Sequence, residues 1–176
     1  NNEEACRYFK MASEKGHIKA LYYYGLMLYK GEGIKANKEE GTKIIKSAAD
    51  KGDSDATFTY GMLLSQDKNK DIEMSSHYLK IAADRGNTTA MYKYGLRLFK
   101  GEGTEMNKKE ASNYFKMASE NGNVDSMFQY GWMLSKGDGI KADPAKACQY
   151  FKQAADKGHI KAMFNYGVML DNGKGV

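Results

Sequence analysis

The chain has 176 residues, of which 41% are hydrophobic and 28% are charged, a composition that suits one folded domain and excludes a disordered chain. A net charge of +5 over this length is a weak argument for nucleic-acid binding, and no apolar run approaches the roughly 18 residues of a membrane span. The two cysteines, Cys6 and Cys148, are too few for a disulfide framework and favour a reducing compartment.

Helical spacing of apolar residues predicts ten helices along the chain. In chain order they lie at about 2–15, 18–30, 38–51, from near 54, at 72–85, from near 88, at 108–121, from near 124, at 144–157 and from near 160. In the third of these, Ile44 and Ile45 stand one turn before Ala48 and Ala49. That spacing makes one apolar stripe on a helix and would not suit a strand.

Capping residues stand at the predicted helix boundaries. A side chain suited to an N-cap precedes alternate helices, beginning with the helix at 2–15. These residues are Asn1, Asn37, Asp71, Asn107 and Asp143. Pro144, the only proline, lies at a first helical position, where its missing N–H costs nothing. Glycines that end these helices in a left-handed cap form a column: Gly16, Gly52, Gly86, Gly122 and Gly158. The residues after them start the next helices: His17, Asp53, Asn87, Asn123 and His159.

An internal repeat accounts for this regularity. A Tyr-Gly pair recurs at intervals of 36, 34, 36 and 36 residues, with its glycines at Gly25, Gly61, Gly95, Gly131 and Gly167. We call the helices that carry this pair first helices and the others second helices. One helical pair cannot bury its own apolar face, whereas stacked pairs bury a continuous core. The sequence therefore predicts an all-α fold, a right-handed α/α superhelical solenoid of stacked antiparallel helix pairs with about ten helices.

Small and large residues divide the predicted core between them. The Tyr-Gly glycines, with Ala20, Ala56, Ala90 and Ala162, are expected to let paired helices approach closely. The Tyr24, Tyr8 and Leu28 columns are expected to fill the remaining space, together with Phe9, Leu79, Phe115 and Phe151.

The repeat has a recognisable pattern. It reads Ala-x-x-x-Tyr-Gly-x-x-Leu-x-x-Gly-x-Gly, then Ala-x-x-Tyr-Phe-Lys-x-Ala-Ala-x-x-Gly, and its best copy is Ala162 through Gly175, preceded by Ala147 to Gly158. This pattern resembles the Sel1-like repeat, a relative of the tetratricopeptide repeat, over the whole chain. The resemblance implies an adaptor or scaffold that binds proteins. One bacterial branch of the family carries a disulfide in every repeat, a pattern that this chain lacks.

The family's phase predicts a repeat array over 1–176 that is part of a longer array. Residues 1–16 are the second helix of a truncated repeat, 17–52, 53–86, 87–122 and 123–158 are full repeats, and 159–176 is the first helix of a further one. The cysteine count favours a cytoplasmic protein and leaves the endoplasmic-reticulum lumen and secretion open.

Three departures interrupt the pattern. The second repeat replaces the two-glycine turn with Ser65-Gln66-Asp67-Lys68-Asn69-Lys70-Asp71, Gly41 replaces an alanine, and Arg97 stands in a column of apolar residues. Loop variation is the default in helical repeats, so a locally loosened repeat is one interpretation. A bend or contact site around residues 65–71 and Arg97 is the other.

A stripe along the first helices is the predicted binding surface on the concave face. Its centre is apolar in every repeat, at Leu26, Met62, Leu96, Trp132 and Val168, and its flanks are polar. An apolar centre with a polar rim is the anatomy of a protein-binding groove, and tryptophan is enriched at binding hot spots. The predicted partner-binding residues are Trp132, Tyr23, Tyr29, Lys93, Phe99, Arg97, Met62, Gln129 and Lys136. The alternative for Trp132 is that it fills a gap in the core.

No constellation of residues indicates catalysis, a cofactor or a metal. His17 and His159 occupy one column four repeats apart and start helices, and His77 lies on a polar face. Many of the lysines are expected to be neutralised locally, because those at 10, 46, 80, 116 and 152 each precede an acidic residue by four positions and can pair with it on the helix surface. We therefore predict neither an enzyme nor a nucleic-acid partner.

The function predicted from sequence is a protein–protein interaction module, an adaptor or scaffold that binds a peptide or helix of a protein partner. Two alternatives remain open. The chain is a structural spacer docked by its convex face or loops, or it is the regulatory arm of an enzyme whose catalytic domain lies outside this sequence.

Overall fold

The computed structural model describes residues 1–66 and 71–175, and within them the chain is entirely α-helical. The ten described helices are α1 (Asn2–Glu14), α2 (Ile18–Lys30), α3 (Lys38–Asp50), α4 (Ser54–Gln66), α5 (Ile72–Asp84), α6 (Thr88–Lys100), α7 (Lys108–Glu120), α8 (Val124–Lys136), α9 (Pro144–Asp156) and α10 (Ile160–Asp171). The predicted all-α solenoid is confirmed. The second helices end one residue earlier than predicted, since their last expected residue is already the C-cap.

The helices gather into two compact units, Asn1–Asn87 (unit 1, α1 to α5) and Thr88–Val176 (unit 2, α6 to α10). Within each unit every helix packs against the next one along the chain. Unit 1 encloses a buried cluster around Ile45, and unit 2 encloses one around Phe151.

Three residues connect each second helix to the next first helix. At the end of α1, the His17 N–H donates to the Ala12 carbonyl at 3.0 Å and the Gly16 N–H donates to the Ser13 carbonyl at 2.9 Å. Gly16 has a φ of 89°, as a Schellman cap requires. His17 then caps α2, because its Nδ1 accepts the Ala20 N–H at 3.1 Å.

The predicted side-chain caps of the second helices are present in four of the five cases. Asn37, Asp71, Asn107 and Asp143 each accept the N–H of the residue three positions on, at 2.8 to 3.1 Å. Asn1 occupies the same place before α1 but makes no such bond.

Two-glycine turns connect the first helices to the second helices. Gly31, with a φ of 79°, ends α2 in the left-handed region. Gly33, Gly139 and Gly175 lie against the backbone at the start of the second helix 31 residues earlier, where a Cβ atom would collide with it. The turn therefore holds one repeat against the next.

Tyrosine pairs recur in the core between paired helices. Tyr60 and Tyr78, Tyr94 and Tyr114, and Tyr130 and Tyr150 pack edge to face, with ring centroids 4.7, 5.0 and 4.9 Å apart. Such pairs add about 0.5–1.5 kcal/mol beyond their burial. The prediction of a buried Tyr8 was wrong. Tyr8 is 55% exposed and Phe9 is only half-buried, because no described helix precedes α1 to cover them.

The departures from the repeat lie in different settings. Gly41 lies against the backbone of Tyr29, so α2 and α3 approach more closely there than a methyl group would allow. Arg97 is half-buried and pairs with Glu102 at 3.4 Å. The altered turn is described only at Ser65, Gln66 and Asp71; the expectation for residues 67–70 falls outside the described residues.

Candidate partner-binding grooves on the first helices

The first-helix stripe of unit 1 is polar and internally paired at one end. The Lys19 ammonium pairs with the Asp55 carboxylate, its counterpart in the next repeat, and lies 3.5 Å from a carboxylate oxygen of Asp53. The Tyr22 and Thr59 hydroxyls are 2.9 Å apart. Stripe positions of consecutive repeats are therefore neighbours, and much of the polar edge here already has partners within the unit.

The predicted residues of unit 1 lie at two places on this stripe. Tyr23 is 41% exposed and stacks on Phe9, with centroids 5.2 Å apart. Tyr29 is half-buried and lines an open cavity of about 610 Å³ with Lys38 and Lys43. We call this cavity the unit-1 groove. Met62 lies half-buried on α4 and is not among the residues that line it.

Trp132 lies at the centre of the unit 2 stripe. Its ring packs edge to face on Phe99, with centroids 6.0 Å apart. The Lys108 ammonium lies 5.2 Å from the centroid of the Phe99 ring and pairs with Asp138 at 2.8 Å. Lys108 thus contacts the Phe99 ring, Phe99 packs on the indole, and the half-buried indole also packs against the unit 2 core.

Trp132 also lines an open cavity of about 630 Å³, which we call the unit-2 groove. Its lining comes from α8, α9, α10 and the last two-glycine turn. The lining residues are Trp132, Ser135, Lys136, Pro144, Phe151, Asn165, Val168, Met169, Asn172, Lys174 and Gly175. The structure therefore brings Trp132 and Lys136 together in one groove, and Phe99, which packs on the indole, is not among the residues that line it.

The other predicted residues of unit 2 lie outside this groove. Gln129 lines a neighbouring cavity of about 450 Å³ beside Tyr92, and burial raises the pKa of the Tyr92 phenol. Lys93 is half-buried on α6, and Arg97 is held at the end of α6 by its ion pair with Glu102. These three residues remain predictions as partner contacts.

Sequence reasoning missed Lys108 and Lys174. Lys108 matters through its contact with the Phe99 ring, which joins residues nine positions apart on different helices. Lys174 carried a signal that was available, since it stands in a turn position where the other two-glycine turns have an acidic residue.

Two of the histidines cap helices, the third lies at the surface, and both cysteines are buried. His159 caps α10 through its Nδ1 and stacks on Phe128, with centroids 4.6 Å apart, while His77 is exposed. Both cysteines are free and buried, and burial raises the pKa of the Cys6 thiol. Within the described residues, no group of three or more His, Cys, Asp or Glu side chains could hold a metal ion.

Comparison with known families identifies the repeat. The Sel1 repeat model matches residues 1–17, 18–53, 54–87, 88–123, 124–159 and 160–176, which together cover the whole chain. The chain belongs to the Sel1 repeat family. Proteins of this family are generally interaction modules and typically non-catalytic scaffolds or adaptors. A search of curated proteins found no match to this Sel1 repeat chain.

Two solved structures of Sel1 repeat proteins are similar to this chain. A Sel1 repeat protein from Oxalobacter formigenes is 27% identical with a TM-score of 0.84, over 96% of this chain and 70% of that one. The protein c5321, a protective antigen present in uropathogenic Escherichia coli strains that displays an SLR fold, is 28% identical with a TM-score of 0.92. That match covers all of this chain, which spans only 38% of the Escherichia coli protein.

A more distant likeness concerns the fold alone. Helicobacter pylori cysteine rich protein B is 20% identical with a TM-score of 0.56, over 69% of this chain and 93% of that one.

Among the described residues of the Sel1 repeat chain, no helix is both long and apolar enough to span a membrane.

Proposed function

We propose that this Sel1 repeat chain is a non-enzymatic adaptor or scaffold that binds a peptide or helix of a partner protein on the face formed by its first helices. The unit-2 groove is the principal contact site. The observation that carries the proposal is the placement of Trp132, whose ring packs on Phe99 and also lines an open groove.

The groove has the anatomy of a binding site. Its volume of about 630 Å³ lies within the range of roughly 300–1,000 Å³ that is usual for ligand pockets. Val168 and the indole supply exposed apolar surface beside the buried Met169 and Phe151, while Lys136 and Asn165 supply polar groups at the edge. A rigid, half-buried indole with apolar neighbours and a polar rim is the setting in which interface hot spots occur.

A partner measurement tests this proposal. The 176-residue chain is used to capture partners from its native extract, and each protein identified by mass spectrometry is then purified and its Kd measured. Trp132→Ala is compared with Leu26→Ala, which truncates the same column in unit 1. Circular dichroism must show that both variants keep their helicity.

We expect Trp132→Ala to weaken binding by about 30-fold or more, the loss typical of a hot-spot residue, and Leu26→Ala to have a small effect. Partners that bind Trp132→Ala as tightly as the parent chain would overturn the proposal. A structural spacer, docked through another surface, would then be the better account.

A further inference from the structure

The last two-glycine turn carries the opposite charge from the other three. The residue between the glycines is Glu32, Glu102 or Asp138 in the earlier turns and Lys174 in the last one. Each of the three carboxylates pairs with a lysine: Lys30 with Glu32 at 3.5 Å, Lys100 with Glu102 at 3.5 Å and Lys108 with Asp138 at 2.8 Å. At Lys174 the carboxylate that neutralises this part of the repeat is replaced by a cation.

The turn that carries Lys174 forms part of the wall of the unit-2 groove. Gly175 lies against the Pro144 backbone at the start of α9, which holds the turn in place, and Lys174 lines the cavity. Lys136 lines it from the end of α8, and among its described lining residues there is no carboxylate. The edge of the groove is therefore cationic, while its interior is apolar.

The unit-1 groove provides a contrast within the same chain. Its lining includes Lys38 and Lys43 but also Glu39, and Lys43 pairs with Glu39 at 2.7 Å. The two grooves have nearly the same volume, yet in the unit-1 groove one of the two lysines, Lys43, is neutralised by a carboxylate of its own helix. The excess of cationic groups at the unit-2 groove therefore comes from the residues at these positions and not from the geometry of the repeat.

We propose that the unit-2 groove selects an acidic peptide segment with one large apolar side chain. The apolar side chain packs between Trp132, Val168 and Met169, and the flanking carboxylates of the peptide pair with Lys136 and Lys174. This inference rests on the proposed function and adds the chemistry of the partner. Charge complementarity at a rim chiefly sets the choice of partner and the association rate, and salt screens it.

A nucleic acid is also an anion, but the groove fits it less well. A phosphate backbone is bound by a track of cations along its length, whereas this groove offers two lysines around an apolar floor. An indole packed edge to face on Phe99 and bounded by Met169 and Val168 suits an aliphatic or aromatic side chain. Nucleic-acid binding is therefore an outcome that the test must be able to reveal.

The test begins with phage-displayed random peptides of about 12 residues, selected on the 176-residue chain at low salt. The best peptides are synthesised, and their Kd is measured by the fluorescence of Trp132, the only tryptophan, and by calorimetry for variants that lack it. Lys174→Glu introduces the residue found in two of the other turns, so the fold should tolerate it. Lys109→Glu makes the same charge change at an exposed residue of unit 2 outside the groove.

We expect the selected peptides to be rich in Asp and Glu around one apolar residue. Their affinity should fall about tenfold in Lys174→Glu, stay unchanged in Lys109→Glu, and lose most of this difference at about 0.5 M salt. An oligothymidylate measured beside them should bind more weakly than the best peptide.

The possible failures are distinguishable. Peptides that need Trp132 but are neutral or basic, or that bind Lys174→Glu normally, overturn the acidic partner and leave the proposed function intact. Tighter binding of the oligothymidylate overturns the peptide in favour of a nucleic acid. Peptides that bind Trp132→Ala equally well contradict both proposals. A library that yields no binder overturns the acidic peptide and leaves the proposed function to be decided by the partner measurement with Trp132→Ala.

Discussion

At the scale of single residues, two helical glycines show how the surroundings decide whether a methyl group is tolerated. A Cβ atom at Gly41 would lie 2.6 Å from the Tyr29 backbone nitrogen, and backbone atoms cannot step aside cheaply. A Cβ atom at Gly167 would have nothing within 4 Å. The intrinsic preference for alanine over glycine in a helix is about 1 kcal/mol, so it is the neighbours that set the sign of each substitution.

We predict that Gly41→Ala lowers the free energy of unfolding by about 1–3 kcal/mol, because α2 and α3 must move apart. Gly167→Ala should raise it by about 0.5–1 kcal/mol. Urea unfolding followed by circular dichroism measures both variants against the parent chain. A stabilised Gly41→Ala protein would show that the two helices can separate at little cost.

At the scale of helices and turns, local patterns were predictable from the sequence and distant contacts were not. The caps at Asn37 and Asp143 were predicted because a cap depends on a residue and the N–H three positions later. The sequence also marked Gly41 as a departure, but the closeness of Tyr29 depends on how two helices pack. The half-buried state of Trp132 depends on Phe99, 33 residues away, and so the choice between groove and core could not be made beforehand.

Arg85 and Thr57 form a hydrogen bond between helices that the repeat pattern does not predict. Thr57 is buried in a column that otherwise holds Leu21, Met91, Met127 and Met163. Its hydroxyl donates to the Asp53 carbonyl at 2.6 Å and accepts a hydrogen bond from the Arg85 guanidinium at 2.7 Å. The same guanidinium nitrogen donates to the Ala49 carbonyl at 3.0 Å, so the C-cap residue of α5 joins the end of α3 to the start of α4.

We predict that Arg85→Ala destabilises the chain by about 1–2 kcal/mol, since two hydrogen bonds from a charged donor are lost. Thr57→Leu restores the apolar residue of the column. The double variant Arg85→Ala, Thr57→Leu should therefore be more stable than Arg85→Ala alone and recover much of the lost free energy of unfolding. A double-mutant cycle in urea should give a coupling energy of about 0.5–1.5 kcal/mol. Additive effects of the two substitutions would mean that the pair contributes nothing as a pair.

At the scale of the whole molecule, a nearly uniform repeat is divided into two units. The repeat pattern treats every junction alike, whereas the described contacts gather into Asn1–Asn87 and Thr88–Val176. Each unit has its own buried cluster and a groove of its own on the first helices. In repeat proteins the stability is close to a sum of repeat terms and nearest-neighbour terms, so part of an array can fold when enough neighbours remain.

We predict that fragments 1–87 and 88–176, expressed separately, each show helical circular dichroism and a cooperative thermal transition. Because every residue of the unit-2 groove lies after position 87, fragment 88–176 should bind the selected acidic peptides with a Kd within about threefold of the full chain, while fragment 1–87 should not bind them. Calorimetry of both fragments with one peptide provides the comparison. If fragment 88–176 folds but binds much more weakly, residues of unit 1 contribute to the site; if it fails to fold, unit 2 depends on unit 1 for its stability.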